Sequence, residues 1–330
     1  MRVLIIGLGS MGSRRIRCLK ELGINEVFGY DLNKERMNKV CIDYQILKID
    51  NIDTFIKSKK FDACIISTSP EMHMEYAFKL FKLKIPCFIE ASVCDAEKIK
   101  KLYEINLKEK ILIAPSCTMC YTPQVKIIKE LINKEKIGKP IYMNYQTGQY
   151  LPDWHPWEDI KDYYVSKRLT GGCREIVPFE LTWINSIFGT PTINYSIRRK
   201  TGFINAEIDD YYHFTIQYPD SFQANITVEV LSRPIALREL TIVGSKGRIS
   251  YSQDLSLVKC ISLDSNYQEI KISKGKIAEN YINPEEPYIE ELSDFLKDVK
   301  NNKSEIFPND LKKDYEILKF LEKLEYASIN

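Results

Sequence analysis

The chain has 330 residues, of which 44% are hydrophobic and 28% charged. This composition is typical of globular proteins and excludes a disordered, collagen-like or disulfide-scaffold chain. Lys and Arg total 47 against 45 Asp and Glu, so there is no basic excess to support non-specific nucleic-acid binding. The length predicts two domains.

The first part of the chain alternates short apolar runs with helical patterns, the clearest of which covers residues 11–22. Strands are predicted at 2–6, 26–31, 61–67, 86–90 and 111–114. This alternation predicts an α/β domain with a doubly wound parallel sheet, which we place at 1–118.

After Gly138 the pattern becomes rich in β-branched and aromatic residues with a period of two. Strands are predicted at 141–150, 191–200, 211–218, 222–231, 238–243, 247–252 and 257–263. They predict a second α/β domain at 119–330 with a large, mainly antiparallel open sheet. One helix is expected inside it, at 179–187. Two more, at 288–299 and 310–326, close the chain, and segment 288–327 is able to pack back on the first domain.

Nine cysteines, an odd number at irregular spacing, favour free thiols in a reducing cytosol. Cys117 and Cys120 form one CxxC pair. No second CxxC or His pair completes a zinc site, so we expect two ordinary thiols and no metal. Because no run approaches the ~20 apolar residues of a membrane span, we expect a soluble cytoplasmic protein.

A GxGxxG pattern at 7–12 follows the first predicted strand and opens the first predicted helix. Glycines there permit a tight turn, close approach of the backbone to a pyrophosphate, and close helix–strand packing. The helix N-terminus adds a partial positive charge. The predicted cofactor ligands of this region are Gly7, Gly9, Ser10, Met11, Gly12 and Asp31.

Asp31 ends the second predicted strand, where a carboxylate can bond both ribose hydroxyls and would repel a 2′-phosphate. The next residues, Leu32 and Asn33, carry no guanidinium, although Arg36 is near. We therefore expect NAD(H) rather than NADP.

The turn after the predicted strand at 61–67 carries Thr68, Ser69, Pro70 and His73. At the carboxyl edge of a doubly wound sheet such a turn faces the nicotinamide half of the cofactor. His73 either contacts the cofactor or caps the helix that follows.

With these motifs the chain resembles the Gfo/Idh/MocA oxidoreductase family, which includes glucose–fructose oxidoreductase and inositol dehydrogenases. The similar pieces are IIGLGSMG with Asp31, STSPEMH at 67–73, FIEAS at 88–92, Pro123 with VKIIKELINKEKIGKP, the GG…FG segment 171–189, GSKGRI at 244–249, and a closing helix ending in YAS. The resemblance implies an N-terminal Rossmann domain, a C-terminal domain with a large open sheet, and dimers or tetramers. It also implies NAD(P)-dependent hydride transfer on sugars or cyclitols.

Two positions depart from the family pattern. The usual Glu-Lys-Pro is Glu90-Ala91-Ser92 here, so the lysine is missing. In the second motif the carboxylate is Glu175, but the position of the usual acid/base histidine holds Phe179. The resemblance implies that Glu90 and Glu175 line the nicotinamide end.

Removal of a hydroxyl proton needs a group of suitable pKa within hydrogen-bond reach. Segment 149–175 contains many residues that could replace the missing lysine and histidine in this task. His155 is the preferred acid/base candidate, although it could simply pack the loop. Tyr163 or Tyr164 is the next, with its pKa lowered by a cation such as Lys167. Trp154, Trp157 and Arg174 are the predicted substrate contacts.

The sequence therefore predicts an NAD-dependent oxidoreductase acting on a sugar, nucleotide sugar or cyclitol. It should form a homodimer or homotetramer through the C-terminal sheet, without nucleic-acid or membrane partners. An NAD(H)-binding sensor or partner subunit without activity is the alternative. Epimerisation with a recycled cofactor also stays open.

Overall fold

The computed structural model describes residues 1–154, 159–263, 265–279 and 281–328. The chain divides into two compact units, Met1–Thr118 with Glu285–Leu318 and Met119–Pro284 with Lys319–Asn330. The predicted second domain, 119–330, thus differs from the observed second unit by the segment Glu285–Leu318.

The first unit is built on a parallel sheet, as predicted. Its strands are β1 (Arg2–Ile6), β2 (Glu26–Tyr30), β3 (Leu47–Lys48), β4 (Ala63–Ile66), β5 (Cys87–Ile89) and β6 (Ile113–Pro115). Their spatial order is β3-β2-β1-β4-β5-β6, so the winding reverses at β1, where open α/β sheets bind ligands. The sequence did not predict β3, because two residues are too short to show a period.

Along the described chain the helices are α1 (Ser10–Glu21), α2 (Lys34–Asp43), α3 (Ile52–Ser58), α4 (Pro70–Lys82), α5 (Ala96–Glu109), α6 (Pro123–Asn133), α7 (Cys173–Phe188), α8 (Glu286–Asn301) and α9 (Leu311–Ala327). In the first unit α8 packs against α1. Among the described residues no helix combines the length and apolar character that a membrane span requires.

The second unit contains the large sheet. Its strands are β7 (Pro140–Gly148), β8 (Thr192–Arg199), β9 (Tyr211–Gln217), β10 (Gln223–Glu229), β11 (Leu237–Gly244), β12 (Gly247–Ser252), β13 (Leu257–Ser262) and β14 (Ser265–Lys271). They lie in the order β14-β13-β12-β11-β7-β10-β9-β8. Within this second sheet only β7 and β10 pair in parallel among the described strands, which confirms the prediction of a mainly antiparallel sheet. The unpredicted β14 has a polar sequence without a clear apolar face.

Helix α7 begins six residues before the predicted start at 179, because Pro178 inside the helix hides its beginning. Two glycines precede it. A Cβ on Gly171 would lie 1.8 Å from the Val165 carbonyl oxygen, and Gly172 has a φ of +63°. Only glycine fits this entry, which fixes where the first turn of α7 lies.

The first unit contains a fully buried cation, Arg15 of α1. Its Nε and Nη2 donate to the two carboxylate oxygens of Glu90 at 2.6 and 2.9 Å, and its Nη1 donates to Glu291 of α8 at 2.9 Å. Burial alone would lower the pKa of Arg15, but the two carboxylates outweigh it and raise that pKa well above its usual value. One guanidinium thus joins α1, the end of β5 and α8.

Glu291, which is also fully buried, extends this link to the end of β6. One of its oxygens accepts from the Cys117 N–H at 2.6 Å and the Ser116 hydroxyl at 2.9 Å, and the other from the Thr118 hydroxyl at 2.7 Å. These contacts give α8 its place in the first unit, to which segment 288–327 was expected to be able to return, but the apolar pattern of 288–299 did not reveal the contacts themselves.

We predict that Arg15→Met destabilises the protein by about 3–5 kcal/mol, because Glu90 and Glu291 would remain buried without a counter-charge. Arg2→Met is the matched control. Arg2 pairs with Asp62 at 3.2 Å, but both side chains are about two-fifths exposed (41% and 40%), so the loss should stay below about 1 kcal/mol. Urea unfolding of both variants tests the difference, and equal stability would contradict the structural role of Arg15.

Candidate functional site

Two glycines of the GxGxxG motif, Gly7 before α1 and Gly12 within it, are required by close packing. Gly7 has a φ of +91°, and a Cβ there would lie 2.4 Å from the Ser67 carbonyl oxygen. A Cβ on Gly12 would lie 2.0 Å from the Gly7 carbonyl oxygen. Both glycines are therefore required for the turn itself.

Gly9 is different, because a Cβ there would meet no atom within 4 Å and its φ of −69° suits any residue. It is the N-cap of α1, it offers no side-chain cap, and the first turn, which includes Ser10 and Met11, carries no acidic residue. Open space beside the positive end of a helix is what a pyrophosphate needs. The fold itself does not require a glycine at this position, and the space beside it would accommodate a pyrophosphate.

Asp31 lies directly after β2 and is 6% exposed. Its Oδ2 accepts from the Leu8 N–H at 2.8 Å, and its Oδ1 accepts from the Asn33 N–H at 2.8 Å. The guanidinium of Arg36 donates to both oxygens, at 3.0 and 3.1 Å. The structure thus brings the carboxylate against the glycine loop, as a ribose ligand requires. Together with the space at Gly9, this arrangement fits NAD.

The turn from β4 to α4 is held by His73. Its Nε2 lies 3.0 Å from the Thr68 carbonyl oxygen, and because a carbonyl only accepts, Nε2 carries the proton. Burial lowers the pKa of His73, so the ring is neutral near pH 7. Ser69 is the N-cap of α4 without a side-chain cap bond, and Pro70 is its first residue. These contacts favour a structural role for His73, with the turn itself at the carboxyl edge of the sheet.

Glu90 follows β5 at the same edge, but both of its oxygens are engaged. Besides Arg15, the Ser67 hydroxyl donates to it at 3.2 Å. A carboxyl group with partners on both oxygens supports the fold, because each oxygen already accepts hydrogen bonds from the first unit itself. We therefore assign Glu90 to the support of the cofactor edge.

In the second unit, Glu175 and Tyr164 come together. The Tyr164 hydroxyl donates to Glu175 Oε1 at 2.9 Å. The other oxygen, Oε2, is shielded from solvent and has no hydrogen-bond partner among the described residues. Burial raises the pKa of Glu175 to about 7, and the hydrogen bond from Tyr164 opposes this rise by a smaller amount. This carboxyl group can therefore hold or release a proton near neutral pH.

The neighbours of this pair have other roles. Arg174 is buried, with its Nε 2.8 Å from Glu325 and its Nη1 donating to the Leu169 carbonyl at 2.9 Å. These partners tie Arg174 to Glu325 and to the loop before α7, and its contact with substrate stays a prediction. Tyr163 packs edge-on against Tyr164, with ring centroids 6.0 Å apart.

The remaining candidates precede Tyr163 in the sequence. Trp154 ends a short 3₁₀ turn, Leu151–Trp154, and its buried Nε1 has no partner among the described residues. The predicted acid/base His155 and the predicted substrate contact Trp157 lie outside the described residues.

Sequence reasoning missed the structural partners Arg15 and Glu291, and it noted Arg36 only as a nearby cation. A helical pattern shows which face of a helix is apolar. It does not show that Arg15 on that face pairs with Glu291, which lies 276 residues later in the sequence. For Arg36 a usable indication existed, because it lies five residues after Asp31 in the first turn of α2.

We predict that Gly9→Val abolishes NADH binding without lowering the melting temperature, because the side chain would fill only the ligand space. Gly12→Val is the contrasting variant and should destabilise the fold, since its Cβ would overlap the Gly7 carbonyl. Fluorescence titration with NADH and thermal melting distinguish the two. Retained NADH affinity in Gly9→Val would contradict the assigned site.

Two family models match the sequence. The model described as an oxidoreductase family with an NAD-binding Rossmann fold matches residues 1–114, and that of the GFO/IDH/MocA C-terminal domain matches residues 125–250. No functionally curated protein is significantly similar in sequence.

Solved structures extend the comparison over the whole chain. An oxidoreductase from Agrobacterium radiobacter, in complex with NAD+, L-tartaric acid and magnesium, is 12% identical with a TM-score of 0.86, over 100% of this chain and 96% of that one. Levoglucosan dehydrogenase, in complex with NADH and levoglucosan, is 13% identical with a TM-score of 0.84, over 99% and 97%. UDP-N-acetylglucosamine 3-dehydrogenase from Acidithiobacillus ferrooxidans is 15% identical with a TM-score of 0.78, over 99% and 97%.

At these identities the likeness to solved structures concerns the fold alone. The two family models, by contrast, cover both domain types and most of the sequence. The chain belongs to the Gfo/Idh/MocA family of NAD-binding oxidoreductases.

Proposed function

We propose that this protein is an NAD-dependent dehydrogenase of a sugar, nucleotide sugar or cyclitol, with Glu175 as its proton carrier. Family membership and sugar-type substrates among the structural neighbours support the substrate class. The observation that carries the proposal is the Glu175 carboxyl, with one oxygen bonded to Tyr164 and the other unpaired among the described residues.

When bound, NAD accepts or returns the hydride. The chain itself must then move one proton to or from the substrate oxygen. The residues at the usual lysine and histidine positions, Ala91 and Phe179, have no group that does so. Another residue with a pKa near the working pH has to replace them.

Glu175 meets the requirement in three ways. Burial brings its pKa to about 7, where both protonation states are populated. Its Oε2 is not committed to another group of the described structure. Its place in the first turn of α7 is fixed by the glycine pair before the helix. As a carboxylate it takes the hydroxyl proton during oxidation, and as the acid it returns a proton during reduction.

Tyr164 orients this carboxyl and tunes it. Its hydroxyl stabilises the ionised form, so it holds the pKa of Glu175 below the value that burial alone would give. Tyr164 is thus a positioning residue in the proposal.

Two alternatives to Glu175 as the proton carrier of an active enzyme can be tested. His155 is the alternative proton carrier. A chain that only binds NAD(H), as a sensor or partner subunit, would show no substrate-dependent change at the nicotinamide.

We predict that Glu175→Gln lowers turnover by ~10²–10⁴-fold, the usual contribution of a positioned acid/base. In the unmodified enzyme kcat/KM for alcohol oxidation should rise with pH through about 7, because the base form of Glu175 is required. For ketone reduction it should fall over the same range. Tyr164→Phe should move the inflection to higher pH, whereas Tyr163→Phe should leave it in place. The assay follows NADH absorbance with a substrate found by screening sugars, nucleotide sugars and cyclitols.

The control variant is His155→Asn. If Glu175 carries the proton, this variant keeps the pH inflection. Near-normal turnover in Glu175→Gln, together with a lost inflection in His155→Asn, would transfer the role to His155. No substrate-dependent NADH signal across the screen would favour the non-catalytic alternative.

We also propose that the protein forms a homodimer or homotetramer through the open face of its large sheet. Side chains on three adjacent strands support this, because Asn144, Asn225 and Thr215 form a hydrogen-bonded row at 2.8 and 3.1 Å. Tyr142 and Tyr195 are each 40% exposed. Such a pre-ordered, partly aromatic surface suits a second copy. The nine cysteines, all free thiols within the described residues, support a reducing cytoplasmic compartment.

A further inference from the structure

We propose that a cavity between segments 161–166 and 200–207 of the second unit binds the nucleoside diphosphate part of a nucleotide sugar, whose sugar then lies at Glu175. The proposal rests on the proposed function and deepens it, because it selects one of three substrate classes and places the part of the substrate that does not react. The cavity has a volume of about 550 Å³. Its lining includes Lys161, Lys200, Phe203 and Glu207.

The cavity lies at the same end of the large sheet as Glu175. Arg199 ends β8 beside the first residue of β9, so segment 200–207 leaves the sheet at this end. Helix α7 begins there as well, because the Cys173 N–H donates at 3.2 Å to the carbonyl of Asp209, two residues before β9. Since neighbouring strands lie about 4.8 Å apart, one extended ligand can contact both the cavity and the first turn of α7.

The other wall of the cavity belongs to the segment that carries Tyr164. Lys161 and Ser166 line the cavity and lie on either side of this tyrosine in the sequence. Because a chain advances at most about 3.6 Å per residue, the Ser166 backbone lies within about 7 Å of that of Tyr164. The Tyr164 hydroxyl donates to Glu175. The segment that lines the cavity therefore also positions the proposed proton carrier.

The loop after β8 is anchored by buried contacts. The N–H and the hydroxyl of Thr201 both donate to the fully buried Asp210, each at 2.8 Å. Ile204 is buried, and a backbone bridge joins Glu207 to Lys167 on the opposite wall. A loop held in this way has little conformational freedom to lose when a ligand binds.

This anchored loop presents the ring of Phe203 to solvent. Phe203 is 82% exposed, although the next residue, Ile204, is buried. No other ring of the described structure stacks on Phe203. An open phenyl face at the rim of a cavity is a stacking surface for a nucleobase, because every base has a flat π-face.

The cations of the cavity suit a diphosphate. Within the described parts of the chain, the Lys161 ammonium has no ion-pair partner. Lys200 pairs with Glu207 at 2.6 Å, but Glu207 is 88% exposed, so its carboxylate can move away when phosphate oxygens bind. A neutral sugar or cyclitol would use neither positive charge. The lining therefore favours the nucleotide-linked class of substrate.

The test is calorimetric titration of the full chain with UDP and with GDP in the presence of saturating NADH, so that the dinucleotide site is already occupied. Inorganic pyrophosphate and uridine report the contributions of charge and base separately. We expect the better nucleoside diphosphate to bind about tenfold more tightly than pyrophosphate, the usual contribution of one stacked base. Uridine alone should bind more weakly than UDP.

Two variants separate the two contributions. Phe203→Ser should remove most of the tenfold difference and leave pyrophosphate binding unchanged. Lys161→Met should weaken both UDP and pyrophosphate by about two- to fivefold, as expected for an exposed charge contact. The matched controls are Leu263→Ser, which removes an apolar side chain that is 84% exposed, and Lys271→Met, which removes an exposed cation of β14. Neither control should change any of these constants.

The outcomes distinguish this site from the proposed function. UDP and GDP affinities that are the same in Phe203→Ser as in the unmodified protein, or that fall equally in Leu263→Ser, would overturn the cavity assignment. If NADH binds but neither nucleoside diphosphate does, the cavity assignment is wrong and the proposed dehydrogenase activity still stands. If UDP or GDP binds as expected but no nucleotide sugar changes the NADH absorbance, the cavity assignment stands and the proposed activity is wrong. With an active substrate, Phe203→Ser should raise KM and leave kcat and its pH inflection unchanged.

Discussion

A guanidinium that is fully removed from water has to be neutralised where it lies, and Arg15 meets this requirement with two carboxylates. It lies on α1, the helix that begins at the glycine loop. Its partners are Glu90 at the end of β5 and Glu291 of α8, which in turn holds the chain after β6. One charge network therefore fixes α1 and the carboxyl edge of the parallel sheet. The Phe88 ring lies against the same guanidinium, with its centroid 4.5 Å from the guanidinium carbon, and adds a cation–π contact.

Glu90 and Glu175 occupy the two carboxylate positions of the family motifs, but their surroundings in the structure differ. Glu90 has a cation on both oxygens and acts as a structural counter-charge. The carboxyl group of Glu175 is shielded from solvent. Among the described residues its hydrogen-bond donor is the Tyr164 hydroxyl, and no cation pairs with it. Glu90 is therefore fully engaged by its partners, while burial brings the pKa of Glu175 to about 7. The same residue type supports the fold at one place and, in our proposal, carries a proton at the other.

Local patterns were sufficient where the physical cause is local. The glycine turn, Asp31 at the end of β2 and both sheet types follow from spacing and apolar period, and they were predicted. The start of α7 was missed because Pro178 interrupts the helical pattern of the sequence. The two glycines that precede the helix, Gly171 and Gly172, set its start through contacts that the sequence does not show. The roles of Arg15 and Arg36 were missed because each depends on which carboxylate the fold brings to it. The Glu175–Tyr164 bond likewise joins two residues that the sequence could only place in one dense segment.

A proton carrier has to change its protonation near the working pH, and for Glu175 this can be measured directly. Carbon-13 NMR of protein labelled at the glutamate carboxyl carbon follows the titration, with the Glu175→Gln spectrum identifying the resonance. We expect a titration midpoint at about 7, well above the usual 4.5 of glutamate. A midpoint near 4.5 would show that this carboxyl is permanently ionised at neutral pH, and it would exclude Glu175 as the proton carrier.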